Sequence, residues 1–136
     1  MDAAQTLATV PLFAGLDARA VKRLAEQGKR RTYAPGDAII RQDAPASALY
    51  VIVRGRVRVH EGNDGPTLTE LHAGDFFGEL ALIEDRPRTA SVTAVDETEC
   101  MLFVAWEFTA LLKEHPEIAI PIMHALIARL HRREGR

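Results

Sequence analysis

Between residues 29 and 104 the sequence breaks into short β-branched runs, each halted by a turn signal, and this constrains the fold more than any other feature. The runs read "RRTYA", then Pro35-Gly36-Asp37, then "AII", "ALYVIVRG", "RVRVHEG" and "TLTELHAG", followed later by "TASVTA" and "ECMLFV". Runs of this length, rich in Val, Ile, Thr and aromatics and bounded by Gly, Pro and Asp, predict a series of short antiparallel strands. In "RVRVHE", Arg56, Arg58 and His60 alternate with Val57 and Val59, which predicts one wet face and one buried face, with "EGNDGP" as the hairpin turn.

Helical spacing flanks the strands on both sides. Leu7, Val10 and Leu16 lead into "LDARAVKRLAEQG", where Asp17 can cap a helix whose apolar face carries Val21, Leu24 and Ala25, and where Gly28 ends it. From Trp106 the helical period returns in "WEFTALLKEH". It resumes after Pro116, a first-turn residue, in "EIAIPIMHALIARLHRR", with Pro121 expected to bend that helix because it lacks an N–H. No solenoid repeat interrupts this order, so the expected class is α+β, helices around a barrel or jelly roll.

The bulk numbers bound the rest. A chain of 136 residues is long enough for one core and short for two, and 47% hydrophobic with 26% charged residues is ordinary for a globular domain. Its formal net charge of −2 offers no global attraction to nucleic acid, so any basic surface must be local. Cys100 is the one cysteine, set among apolar neighbours; it can make no internal disulfide, and it is expected to be a small buried hydrophobe in a reducing compartment. The apolar runs "ALYVIV" and "MLFVAW" fall far short of the roughly 18 residues of a spanning helix, which makes the expected location cytoplasmic.

The stretch "GDFFGELALIEDRPRTASVTA" carries the chemistry. If "GELALI" forms a helical turn, its first backbone N–H groups and dipole make an anion site, and Gly78 lets a ligand approach the backbone. Glu79, an acceptor only, suits hydroxyl or N–H donors; Arg88, a rigid cationic fork, suits a phosphate, with the Thr89 hydroxyl beside it. A ribose phosphate has that shape.

"FGELALIEDRPRTASVTA" resembles the phosphate-binding cassette of cyclic nucleotide-binding domains, the sensor modules of cyclic-nucleotide-dependent kinases, gated channels and catabolite-activator-type regulators. "PLFAGLDARAVKRLA", "YAPGDAIIRQDAPASALYVIVRGRVRV" and "HPEIAIPIMHALIARL" are similar to the family's helical entry, β-roll and final helices. The resemblance implies an antiparallel β-roll of the jelly-roll kind, with N-terminal helices, a short cassette helix and two C-terminal helices. It implies one domain over 1–136, divided into a helical segment 1–28, a roll 29–104 with the cassette at 77–91, and hinge and lid helices over 105–136.

Carried across residue by residue, the resemblance implies that Glu79 accepts from the ribose 2′-hydroxyl and Arg88 pairs with the cyclic phosphate. The amides of Gly78, Leu80 and Ala81 and the hydroxyl of Thr89 would complete the cradle. Val59, Thr69 and Leu71 would wall the base, and Arg129, Arg132 and Arg133 are candidates for the lid, Arg129 first. The implied ligand is cyclic AMP ahead of cyclic GMP. The implied role is a non-enzymatic sensor acting on an effector protein or domain, with a homodimer through the last helix among its partners.

Plainer roles compete with these. Glu79 and Arg88 could form a structural salt bridge, Thr89 could be a strand residue, and the three arginines could be a solvated face. The competing function is an interaction module docking through Ile122, Met123, Leu126, Ile127 and Leu130. No His-x-His with a following Glu marks a metal site, and Ser91 lacks a neighbouring base for nucleophilic catalysis. A single cysteine excludes a cysteine-ligated cluster, and the chain is expected to stop before any DNA-reading helix-turn-helix.

Overall fold

The computed structural model describes residues 2–44, 47–78 and 90–133, without the side chains of 132 and 133. Helix α1 (Ala3–Ala8) opens with a capping box in which Asp2 and Gln5 satisfy each other's backbone N–H, each at 2.8 Å. A 3₁₀ turn (Pro11–Phe13) leads to α2 (Ala18–Gln27), capped as the sequence predicts by Asp17, whose Oδ1 accepts from the Ala20 N–H at 2.8 Å. The chain then enters β1 (Lys29–Tyr33), β2 (Ala38–Ile40), β3 (Ala48–Arg54), β4 (Arg56–His60), β5 (Thr67–His72), β6 (Phe76–Phe77), β7 (Ser91–Ala94) and β8 (Thr98–Val104). Helices α3 (Ala105–Glu114) and α4 (Pro116–Arg133) follow; α4 continues through Pro121, whose ring packs against Gly15.

The strands form two four-stranded antiparallel sheets, β1-β8-β3-β6 and β2-β7-β4-β5, facing each other as a β-roll. Gly55, at φ +101°, makes the corner where the chain leaves the first sheet for the second. A Cβ there would meet the Glu97 carbonyl and stand 2.6 Å from Thr98 Oγ1, so both conformation and space call for glycine.

The centre of the first sheet, β3 and β8, is buried on both faces, which is why these two strands read as near-continuous apolar runs. Leu49 and Val51 of β3, Met101 and Phe103 of β8 and Phe76 pack against Leu7, Phe13, Leu24, Phe108, Ile118 and Ile122 of the helices. Their alternates Ile52, Cys100, Leu102 and Phe77 point into the roll and meet Ile40, Val57 and Val92 of the second sheet. Cys100 is fully buried, as its neighbours predict. Desolvation, with Glu99 adding to it, pushes its thiol up to about 12.

One expectation from periodicity fails at His60. Placed on the wet face by the alternation, it is only 1% exposed, because the 61–66 hairpin and Gln42, in the turn after β2, close around its end of β4. The site is polar rather than wet: His60 Nε2 lies 2.8 Å from Thr93 Oγ1 and Nδ1 lies 3.2 Å from the Glu61 carbonyl oxygen. A carbonyl only accepts, so Nδ1 carries a proton and donates to the Glu61 oxygen, while the Thr93 hydroxyl, able to donate or accept, pairs with Nε2.

Candidate functional site

β6 is two residues long, and it splits its rings between two cores. Strand alternation sends Phe76 to the helical side and Phe77 into the roll, where it stacks on Tyr50 at a centroid distance of 4.8 Å and an interplanar angle of 7°. Tyr50 and Phe77 are also backbone partners across β3 and β6. The next residue, Gly78, takes φ +78°, a left-handed conformation that costs an L-residue about 1–2 kcal/mol. The chain therefore leaves β6 from a point fixed on both faces.

Opposite this point, the β4–β5 ladder sets Val57 against Leu71 and Val59 against Thr69. Residues paired in this way share a face, so Val59, Thr69 and Leu71 lie together on the face that Val57 turns toward the roll interior. Val59 and Leu71 are half-buried against the interior cluster, and Thr69 is exposed. The three base-wall candidates are thus brought together as a surface that grades from apolar to wet. Tyr33 and Tyr50 flank the same cluster. Burial, followed by the proximity of Tyr50, raises the Tyr33 phenol above its ordinary value.

Arg129 on α4 lies elsewhere. Its guanidinium carbon stands 3.4 Å from the centroid of the Phe76 ring, on the helical side of the first sheet, whereas the wall residues belong to the second sheet. This cation–π contact ties α4 to the strand that leads into Gly78. The side chains of Arg132 and Arg133, and the candidates Glu79, Leu80, Ala81, Arg88 and Thr89 with the expected cassette helix, lie outside the described residues.

Sequence reasoning missed Tyr50 and Phe77 as the support beneath Gly78, although the Phe-Phe-Gly order in the quoted stretch was the available signal. It also missed the bonds of Ser91, a buried polar residue at the start of β7. An open groove of about 720 Å³, lined by Asp37, Arg41, Arg58, Asp64 and Thr93 among others, shares none of the candidate residues; Arg58 and Thr93, paired across β4 and β7, face away from Val59.

A double-sheeted roll, a glycine in a left-handed conformation after an anchored aromatic, and a graded wall across the interior together define an antiparallel β-roll with a candidate small-molecule site. Residues 30–115 match the cyclic nucleotide-binding domain, and the chain belongs to that family. It is 36% identical over 126 residues to the Cyclic AMP receptor protein of Thermus thermophilus, a match covering 90% of this chain and 56% of that protein. It is 37% identical over 125 residues to a cyclic nucleotide-gated potassium channel of Rhizobium etli, covering 92% of this chain and 34% of the channel. Among solved structures, the N-terminal domain of a transcriptional regulator from Streptomyces coelicolor superposes with a TM-score of 0.78 at 29% identity, over 96% of this chain and 95% of that one. The chain spans little more than half the length of the receptor and about a third of the channel. Among the described residues no helix is long and apolar enough to cross a membrane.

Proposed function

We propose that this chain is a single-domain cytoplasmic cyclic-nucleotide sensor that performs no chemistry on its ligand. The observation that carries the reading is the anchored exit of β6. Gly78 directly follows Phe76 beneath Arg129 and Phe77 on Tyr50, and it opens the stretch that resembles the family's phosphate-binding cassette, in which an acceptor-only carboxylate and a guanidinium follow. In this reading Glu79 accepts from the ribose 2′-hydroxyl, Arg88 pairs with the cyclic phosphate, and the amides of Gly78, Leu80 and Ala81 with the Thr89 hydroxyl complete the cradle. Val59, Thr69 and Leu71 wall the base. Cyclic AMP ranks ahead of cyclic GMP because the receptor at 36% identity is named for cyclic AMP.

The output is movement of α4, which carries Arg129, Arg132 and Arg133 toward the base and acts on an effector protein or effector domain. A ligand biases that helix only by its differential affinity for the two positions, so a base contact made solely in the closed one turns binding into a signal. A second reading, self-association through α4, is favoured by one observation: Ile120, Met123, Ile127 and Leu130 are exposed large apolar side chains at helical spacing. Of the residues expected there from sequence, Ile122 is core and Leu126 is half-buried, so the free stripe is shifted to include Ile120.

Calorimetric titration with cyclic AMP and with cyclic GMP, using Arg88→Ala as control, tests the sensor reading. A charge-assisted hydrogen bond contributes about 1.5–3 kcal/mol, so Arg88→Ala should weaken binding at least about tenfold. Unchanged affinity in that variant overturns the site assignment, and no binding of either nucleotide by well-folded protein overturns the sensor.

A further inference from the structure

One stretch of the chain carries more charge than any role above uses. From residue 19 to residue 31 there are six Lys or Arg residues and a single acid, Glu26, in a chain whose net charge is −2. Arg30 is paired with Glu99 at 2.7 Å, and Arg31 lies beside the Tyr33 phenol. Arg19, Lys22 and Arg23 are exposed on α2, whose Val21 and Leu24 are buried, and Lys29 is exposed just past its end. Among the described residues none of these four side chains enters an ion pair. The arrangement opposes the helix that carries it. Residues three and four apart on a helix are neighbours, so Arg19 repels both Lys22 and Arg23. Arg19 also stands in the first turn, at the positive end of the helix dipole, where no acid offsets it. Such a local conflict is expected where a surface serves an external contact.

An exposed ring stands beside this face. Gln27, one turn beyond Arg23, donates through Nε2 to the Glu107 carbonyl oxygen at 3.2 Å, which holds the last turn of α2 against the start of α3. Trp106 directly precedes Glu107 and is 72% exposed; among the described residues it is the one aromatic side chain so exposed. Tryptophan favours the boundary between water and hydrocarbon, because its ring is apolar and its N–H needs a polar partner. Beside an anionic bilayer each unpaired cation adds to the attraction, and the ring can enter the headgroup layer. Both parts of the surface are convex, a helix face and a helix start, which suits a broad fluid surface better than an inserted peptide. We propose that α2 and the start of α3 form a peripheral docking face for a bilayer rich in anionic headgroups, with Arg19, Lys22, Arg23 and Lys29 as its cations and Trp106 as its anchor. The face uses no residue of the nucleotide site and is independent of the sensor reading.

The test is cosedimentation, without nucleotide, with vesicles of phosphatidylcholine alone and of phosphatidylcholine carrying about 30% phosphatidylserine. The mixed vesicles should bind the chain at about 0.05 M salt and release it at about 0.5 M, as screening shortens the reach of the charges, while neutral vesicles bind little. Trp106, the one tryptophan, should shift its emission to the blue on binding. Each cation near the surface contributes about fivefold to the partition coefficient, so Lys22→Gln should cost about fivefold and Lys22→Gln/Arg23→Gln about thirtyfold. Trp106→Ala should cost at least about threefold. Arg41→Gln removes an exposed cation from the groove on the second sheet and should stay within about twofold of wild type. No binding to mixed vesicles at low salt, no blue shift, or a loss from Arg41→Gln equal to that from Lys22→Gln overturns the proposal. Binding of polyglutamate or duplex DNA in the same low salt, without binding to vesicles, identifies an acidic protein or a nucleic acid as the partner and overturns it as well.

Discussion

Phe77 should be the residue on which the roll interior depends most. It is 4% exposed, its ring stacks on Tyr50 at 4.8 Å, and it shares the interior with Ile40, Ile52, Val57, Val92, Cys100 and Leu102. Replacing it by alanine removes a whole buried ring and leaves a cavity between two sheets whose separation is set by many other contacts, so collapse is limited. The expected loss is about 3–5 kcal/mol, which for a chain of this length lowers Tm by about 10–20 °C. Phe77→Leu keeps most of the volume and removes the stack. Combined with Tyr50→Leu in a double-mutant cycle, it should reveal a coupling of about 0.5–1.5 kcal/mol. The assay is urea unfolding followed by far-UV circular dichroism, since the one tryptophan, Trp106, is 72% exposed and poorly placed to report on the core. Trp106→Ala is the control, expected within about 0.5 kcal/mol of wild type. A loss below about 1 kcal/mol for Phe77→Ala, or no coupling to Tyr50, would refute the claim that the stack holds the interior and the exit toward Gly78.

Gly55→Ala should destabilise by at least about 2 kcal/mol, because the new Cβ meets backbone at a φ that side chains disfavour; a midpoint equal to wild type in the same urea series contradicts this. The Cys100 thiol should resist iodoacetamide in the folded chain at pH 9 and react once denaturant is added. Its folded pKa is raised from 9.0 to about 12, so the contribution is fully present below pH 9 and is lost as pH climbs from 9 toward 12. Cys100→Ala should flatten that alkaline decline in Tm, and an unchanged slope would show that other groups cause it. Ile127→Glu, at an exposed position, should leave Tm within about 2 °C of wild type while abolishing self-association in light scattering. A monodisperse monomer in the unsubstituted chain at high concentration removes the self-association reading.

Much of this protein is legible locally. The period-two runs, the turn residues between them, Asp17 as a cap, Gly28 as a stop and Cys100 among apolar neighbours each depend on a few adjacent residues, and each appears in the structure where the sequence places it. The ordered motif from Phe77 to Ser91 and its flanking segments were enough to identify the family, since that pattern is itself written in consecutive residues. The titrations above test the roles proposed for Glu79, Arg88 and Thr89.

Other features depend on residues far apart in the chain, and no window of sequence contains them. His60 has the spacing of a surface residue, but the structure buries it where the 61–66 hairpin and the turn after β2 converge. Arg129 reads as one of several basic residues on a helix, and only the packing of α4 against the first sheet lays it over Phe76. Phe76 and Phe77 are alike in sequence, yet strand alternation within a sheet covered on both faces assigns them to different cores. Ser91 gains its partners from residues 49 and 29 positions away. The sequence by itself determined which segments become helices, strands and turns, because propensity and periodicity act over a few residues. Tertiary structure alone decided which polar groups are buried and what they hold, because that depends on the surfaces distant segments bring together.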